Sequence, residues 1–254
     1  MASSIGIGSR PLAALVALLQ GMPKPIPVFG ATFSPGARYV TEEGRSRALI
    51  MDHQADDSLG PRIHGAVVVS WGMHAALVAD SDTMEYRRFG ADRFKMAANE
   101  LLFPSSGAET HRYTGTVTFT KSNGQADSER VEIMQTREHM YLLVTLVSRL
   151  EEAFLISPES KPLDGCLRMV HFGPLPPEHA MQLMSDAYRG GLHVKDGHVC
   201  YTEIAKLRID FDEQDEKWRR VCVDGKVIAV EDEGWVEVSK DDKCALNILV
   251  PPNL

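Results

Sequence analysis

Three carboxylates, Asp80, Asp82 and Glu85, are followed within ten residues by four cations, Arg87, Arg88, Arg93 and Lys95. A carboxylate pairs with an ammonium group, and the planar fork of arginine grips phosphate oxygens two at a time. These residue types therefore suit a ligand carrying an amine or a phosphate. The same spacing also suits a solvated helix face laced with i,i+4 charge pairs, which needs no ligand. Arg87 and Arg93 are six residues apart, about 600° of rotation at ~100° per residue, so one continuous helix sets them on opposite sides. They face one ligand only if the helix begins after the Tyr86-Arg87-Arg88 turn, or if their long side chains wrap around it.

Other chemistries find little support. The histidines form no His-Glu-x-x-His pair and the four cysteines, Cys166, Cys200, Cys222 and Cys244, form no Cys-x-x-Cys. No metal ligands are therefore expected. No Gly-x-Ser-x-Gly elbow or Cys/His pairing supports acyl transfer. Gly6-x-Gly8 lacks a third glycine and a preceding strand, so residues 1–10 read as a frayed terminus rather than a phosphate loop.

The elements that must position the charged cluster follow from the flanking pattern. Residues 67–72, Val-Val-Val-Ser-Trp-Gly, read as a buried strand stopping at a glycine. Asp82 then acts as N-cap of a helix over about 84–102, with Glu85 in its first turn. Upstream, Pro11 opens a short helix that Gly21 stops, and residues 30–60 hold one strand and a polar loop solvated by Asp52, Asp56 and Asp57. Beyond Leu102 the period becomes two. Residues 113–120 alternate, Asn123-Gly124 signals a hairpin, and 131–134 alternate again. Residues 139–147 are apolar on both faces and belong in the middle of a sheet. Further strands are expected over 166–172, 199–211, 218–223, 226–230 and 245–250. Pro176-Pro177 opens a second long helix, which Gly190-Gly191 ends. Its Met181 and Met184 suit an irregular core. The expected fold is mainly β (α+β), an antiparallel β-sandwich with two flanking helices.

Composition sets limits. The 254 residues allow one large or two small domains. With 27 basic and 35 acidic residues the net charge is −8, which argues against a nucleic-acid partner and against broad attachment to anionic lipid. Scattered cysteines and the short, motif-free apolar run after Arg10 read as a reduced, cytoplasmic protein without a signal peptide. The longest apolar stretches fall far below the ~20 residues a spanning helix needs.

The order Ser70-Trp71-Gly72, Asp80-Ser81-Asp82, then Tyr86-Arg87-Arg88-Phe89-Gly90 and Arg93-Phe94 resembles the second domain of sphingosine kinases, lipid kinases of the diacylglycerol-kinase group. The resemblance begins near Pro11 and covers nearly all that follows. It implies residues 1–27 as the end of an N-terminal kinase domain and 28–254 as a C-terminal β-sandwich, like the second domain of the NAD kinase/diacylglycerol kinase fold. It also implies Ser70 and either Asp80 or Asp82 as lipid-head contacts, with the acid facing the amino group. Arg87 and Arg93 would reach ATP phosphates, and Asp224-Gly225 would match a turn that helps position the nucleotide. Lys226 stands where that family carries a glutamate. Independently, Asp-Gly is a common hairpin signal that needs no function.

The family's catalytic segments, Gly-Gly-Asp-Gly-Thr and Pro-x-Gly-Thr-Gly-Asn, do not occur in this sequence. They supply the amides that cradle phosphate and the base for the lipid hydroxyl. The resemblance thus implies a long-chain lipid partner, ATP and Mg2+ as cofactors of the full enzyme, a separate N-terminal catalytic domain, and peripheral membrane contact. No residue of this chain is expected to be catalytic, and the chain alone is expected not to transfer phosphate. Two readings compete: a non-catalytic lipid-binding module, and an unrelated β-sandwich whose Asp/Arg cluster is only solvated. Diacylglycerol or ceramide remains open as substrate beside a sphingoid base.

Overall fold

The computed structural model describes residues 1–7, 11–50, 60–90, 92–122, 130–241 and 246–252. Most of the described strands belong to one continuous antiparallel sheet. Its main path runs Ser46–Leu49, Arg38–Thr41, Lys226–Ala229, Arg220–Val223, Val68–Gly72, Tyr141–Thr145, Leu167–Phe172, Cys200–Phe211, Trp235–Asp241, Val28–Phe33 and Arg62–Gly65. Tyr113–Lys121 branches from Cys200–Phe211 and pairs in turn with Arg130–Ile133 and Glu138–His139.

The sheet curls so that side chains from both ends of this path meet in one core. Phe29 and Phe33 from one end share it with Val221 and Ile228 from the other, and Trp71, Leu142 and Met169 come from the middle. The two layers expected of a sandwich are thus halves of a single hydrogen-bonded sheet. Alternation sorts the faces, since successive side chains point opposite ways. Leu142 and Val144 point inward, while Tyr141 and Leu143 point outward against a helix. Tyr141–Thr145 is buried throughout, because it has the core on one face and helices on the other.

Five α-helices are described. Of these, α1 (Pro11–Gln20) precedes the sheet; α2 (Met73–Ser81), α3 (Met84–Arg87) and α4 (Asp92–Leu102) follow the strand Val68–Gly72 in quick succession; and α5 (Pro177–Tyr188) follows Leu167–Phe172. The expected single helix over 84–102 is therefore two, broken at Gly90, whose φ of +57° ends α3. The cap is not Asp82. The Thr83 side chain accepts from the Tyr86 N–H at 3.3 Å, and Asp82 instead closes α2. Gly72 makes the strand-to-helix corner at φ +79°, where a Cβ would lie 2.6 Å from the Met140 carbonyl oxygen.

Other differences have plain causes. Three strands were not expected, Met22–Pro25, Arg62–Gly65 and Trp235–Asp241, and residues 28–49 hold three strands rather than one. The terminus is not frayed over residues 1–7: a short 3-10 turn buries Ile5 to 1% exposure, and Ser4 Oγ accepts from the Arg149 N–H at 3.1 Å. The strand Asn247–Val250 leaves the large sheet and pairs with Met22–Pro25 in a separate ribbon. The last strand thus sides with the segment before residue 28. Next to this ribbon, α1 leaves Leu12 and Leu19 about three-quarters exposed, at 73% and 74%. The expected Asn123-Gly124 turn and the loop acids Asp52, Asp56 and Asp57 lie outside the described residues. Among the described residues no helix is long and apolar enough to cross a membrane.

Candidate functional site

The outer face of the sheet does not meet its helices everywhere. Between Val67, Val68 and Cys222 on the sheet and the helices α2, α4 and α5 lies a cavity of about 620 Å³. This is within the range of about 300–1,000 Å³ usual for ligand sites. Leu77, Val78, Phe94, Ala98, Met181 and Met184 make its lining mainly apolar. The methionine stripe of α5 thus serves as cavity wall, while Ala180, Leu183 and Ala187 of the same helix pack on the sheet. Sequence periodicity identified the apolar side of the helix but not where its packing stops.

His74, on the first turn of α2, is a polar group of that wall to which the sequence assigned no role. Its Nδ1 lies 2.7 Å from Ser70 Oγ. Burial lowers its pKa to about 4, so near neutral pH the ring is uncharged. Ser70 itself is buried, one strand over from Cys222. Burial raises the Cys222 thiol to about 12, which keeps it protonated and unreactive.

Asp224 and Gly225 also line this cavity. They form a tight turn with φ of +48° and +86°, the conformation Asp-Gly favours in a two-residue hairpin. The Asp224 carboxylate is already fully engaged. It accepts from the backbone N–H groups of Ala66 at 2.7 Å, Val67 at 3.0 Å and Val68 at 2.7 Å. It therefore ties the hairpin Arg220–Ala229 to the start of the strand Val68–Gly72. Lys226 places its Nζ over the Tyr39 ring, 5.4 Å from the centroid.

The charged cluster sits where α2 ends and α4 begins. Because the helix breaks at Gly90, Arg87 and Arg93 are free of the single-helix geometry and converge on one carboxylate. Arg87 holds Asp82 in bidentate fashion, Nε and Nη2 each at 3.0 Å from an oxygen. Arg93 Nη1 approaches the same acid at 3.7 Å. The hydrogen bond from Arg87 is the main cause that lowers the Asp82 pKa, and Asp82 in turn raises that of Arg87. Arg93 stacks over Phe94 at 4.7 Å, and its Nε is buried without a hydrogen-bond partner. That spare donor is an uncommon feature.

Asp80 goes elsewhere. It forms a 2.9 Å ion pair with Arg220 and borders a second, more polar cavity of about 470 Å³ with Tyr86, His111 and Trp218. The sequence-predicted residues thus separate: Asp224 and Gly225 line the apolar cavity, Ser70 lies behind its wall residue His74, Asp82 sits with Arg87 and Arg93 at the helix junction, and Asp80 pairs with Arg220.

No protein-family profile matches this sequence, and no curated protein matches it. Solved structures do share the fold. A protein of Bacillus anthracis str. Sterne described as a diacylglycerol kinase superposes with a TM-score of 0.55 at 13% identity, over 98% of this chain and 64% of its own. A second structure from the same strain, described in the same way, gives a TM-score of 0.50 at 12% identity over 98% and 62%. The chain therefore spans just under two thirds of their length, and at this identity the likeness establishes the fold.

Proposed function

We propose that this chain is the lipid-binding part of a lipid kinase of the diacylglycerol-kinase type. The apolar cavity under α2, α4 and α5 takes the acyl chain of a long-chain lipid. The observation that carries this reading is the cavity itself, about 620 Å³ with a mainly apolar lining. A packed core of this type holds few voids larger than a water molecule. The fold shared with two proteins described as diacylglycerol kinases supports the same reading.

Asp82 meets the polar end of the lipid, and a sphingoid base is the substrate class that a carboxylate suits best. Arg87 and Arg93 hold phosphate, whose oxygens suit the planar fork of arginine. Ser70, tied to His74, shapes the cavity wall. Asp224 and Gly225 act in positioning, since the carboxylate is already occupied by three N–H groups. Asp80 is held by Arg220 and takes no part in the head-group contact.

ATP and Mg2+ belong to the complete enzyme. The segments that cradle phosphate and supply a base are not in this sequence, and positioning with electrostatic stabilisation is nearly the whole of phosphoryl-transfer catalysis. The chain alone therefore binds lipid without turnover. The exposed leucines of α1 and the ribbon beside it suit docking of an ATP-binding domain.

The test is a binding titration of the purified chain with sphingosine and with diacylglycerol, beside an ATP-dependent phosphorylation assay. Met184→Trp fills the cavity from a half-buried position on α5 and is expected to abolish lipid binding while the Tm stays near wild type. Lipid binding unchanged in that variant would remove the cavity from the reading. Turnover by the isolated chain would remove the claim that its catalytic groups lie elsewhere.

A further inference from the structure

Away from the cavity, the first turn of α5 meets the loop that follows the short 3-10 turn Leu192–Lys195. His179 comes from the helix, and Asp196 and His198 come from the loop. One nitrogen or oxygen from each of the three lies within 4.8 Å of the others. His179 Nε2 is 2.9 Å from one oxygen of Asp196, and His198 Nδ1 is 2.9 Å from the other. The two rings stand edge to face with centroids 5.0 Å apart.

We propose that His179, Asp196 and His198 form a binding site for a divalent transition-metal ion, with Zn2+ as the best-suited borderline metal. The donor set is the first argument. Two imidazoles and a carboxylate suit zinc and its neighbours in the transition series, whereas Ca2+ and Mg2+ prefer oxygen ligands alone. Geometry is the second. A tetrahedral ion with bonds near 2.0–2.1 Å requires its ligands about 3.3 Å apart, so these atoms need only small side-chain rotations to reach it. Openness is the third. The three residues are partly exposed, with His198 at 62%, which leaves the remaining coordination position to water.

The local charges agree. Besides the two rings, the His198 backbone N–H donates to the Asp196 carboxylate at 2.9 Å, which fixes the acid between them. The positive end of α5 opposes a cation, and anionic Asp196, with Glu178 in the same first turn, offsets it. On binding, the liganding nitrogen of each ring gives up its proton, to the other ring nitrogen or to water. The two ring hydrogen bonds to Asp196 give way to metal bonds.

The consequence is a clip between α5 and the loop. Since α5 also carries Met181 and Met184 of the cavity wall, metal would stiffen that wall from its far end. The sequence hid this site because His179 and Asp196 are 17 residues apart and match no short metal motif.

The test is isothermal titration of the purified chain with Zn2+ alone, repeated on His198→Ala and Asp196→Asn, with Co2+ absorption as a second readout. His198→Ala removes a ring that is 62% exposed, so the fold is expected to tolerate it. Expected are one Zn2+ per chain, a Tm raised by Zn2+, and affinity weaker by about 100-fold or more in both variants, since loss of outer partners alone costs about 10–100-fold. Excess Mg2+ should not compete. Zn2+ affinity unchanged in His198→Ala, no Zn2+ binding by the wild type, or thiolate-to-cobalt absorption placing the ion on cysteines would each overturn the site.

Discussion

Trp71 and Ser70 are adjacent in the strand Val68–Gly72 and point to opposite faces of the same sheet. Trp71 faces inward, with no exposure, among the rings of Tyr113, His139 and Phe211. Its indole N–H donates to the Trp218 carbonyl at 2.8 Å. Ser70 faces outward to His74, beside a cavity of about 620 Å³. Both faces are apolar and both are covered, yet only one is filled. Strands curling over strands interdigitate side chain by side chain, whereas rigid helices lying across a twisted sheet touch along ridges and leave space between them. The lesson is that room for a ligand arises on the face closed by helices, not on the face closed by the sheet itself.

Truncations on the two faces give the strongest contrast. Trp71→Ala should cost about 3–5 kcal/mol, since it opens a void among fully buried rings and strips the Trp218 carbonyl of its donor. Met184→Ala, on the cavity wall, should cost about 1 kcal/mol, the usual size for a partly buried side chain. Denaturant titration of both variants measures this. Equal losses would mean that the outer face is as tightly closed as the inner one.

Acid should weaken the inner face next. His139 and His171 are buried there with a 2.9 Å contact between Nδ1 and Nε2, and His139 Nε2 lies 3.2 Å from the Gly115 carbonyl. With Nε2–H donating to Gly115, the His139 Nδ1 accepts and His171 donates. Burial, helped by His139, lowers the His171 pKa to about 3, and burial also lowers that of His139. A histidine lowered in the folded state takes up its proton only on unfolding. Its contribution is therefore intact above about pH 6.5 and is lost progressively as pH falls toward 3. Between pH 6.5 and 4.5 this amounts to about 2 kcal/mol for His171. His171→Gln keeps a donor toward His139, and its stability should fall less steeply over that interval. An unchanged slope would show that the pair takes no part in the acid response.

Asp224→Ala is expected to cost a similar amount, about 2 kcal/mol, because three backbone N–H groups lose one shared acceptor. Asp224→Asn should cost about half that, as asparagine tolerates the positive φ and still accepts. Equal losses in the two would remove the carboxylate from the account.

The sequence revealed the sheet better than the helices around it. Period-two runs such as Tyr113–Lys121 and the doubly apolar Tyr141–Thr145 announce strands, because alternation and burial are written locally. The strand Trp235–Asp241 was readable from Val236 and Val238 but follows a run of acids. Helix α2 was not readable. Its residues are small or apolar with no side-chain cap, so they continue the look of the preceding strand. Gly90 was a readable stop that the wider charge pattern obscured. At the site, the residue types Asp82, Arg87 and Arg93 were legible. Their convergence depended on a helix break, and the cavity depends on the spacing of elements far apart in the chain.

The smallest expected effect on stability is also the sharpest on function. Asp82 and Arg87 are both half-exposed, at 50% and 56%, so water and salt screen their pair and its loss changes stability little. Asp82→Ala should leave the denaturation midpoint almost where it was, unlike Asp224→Ala. The difference is that Asp82 is satisfied by side chains, which a ligand can replace, whereas Asp224 is satisfied by backbone, which it cannot. If Asp82 meets a lipid amine, sphingosine should bind about tenfold more weakly to the variant, a change of about 1.4 kcal/mol. Diacylglycerol, which has no amine, should bind as before. Inorganic phosphate should bind more tightly, because Arg87 and Arg93 lose their internal competitor. Equal weakening of both lipids would instead make Asp82 a support for the α2–α4 junction, and the preference for a sphingoid base would fall with it.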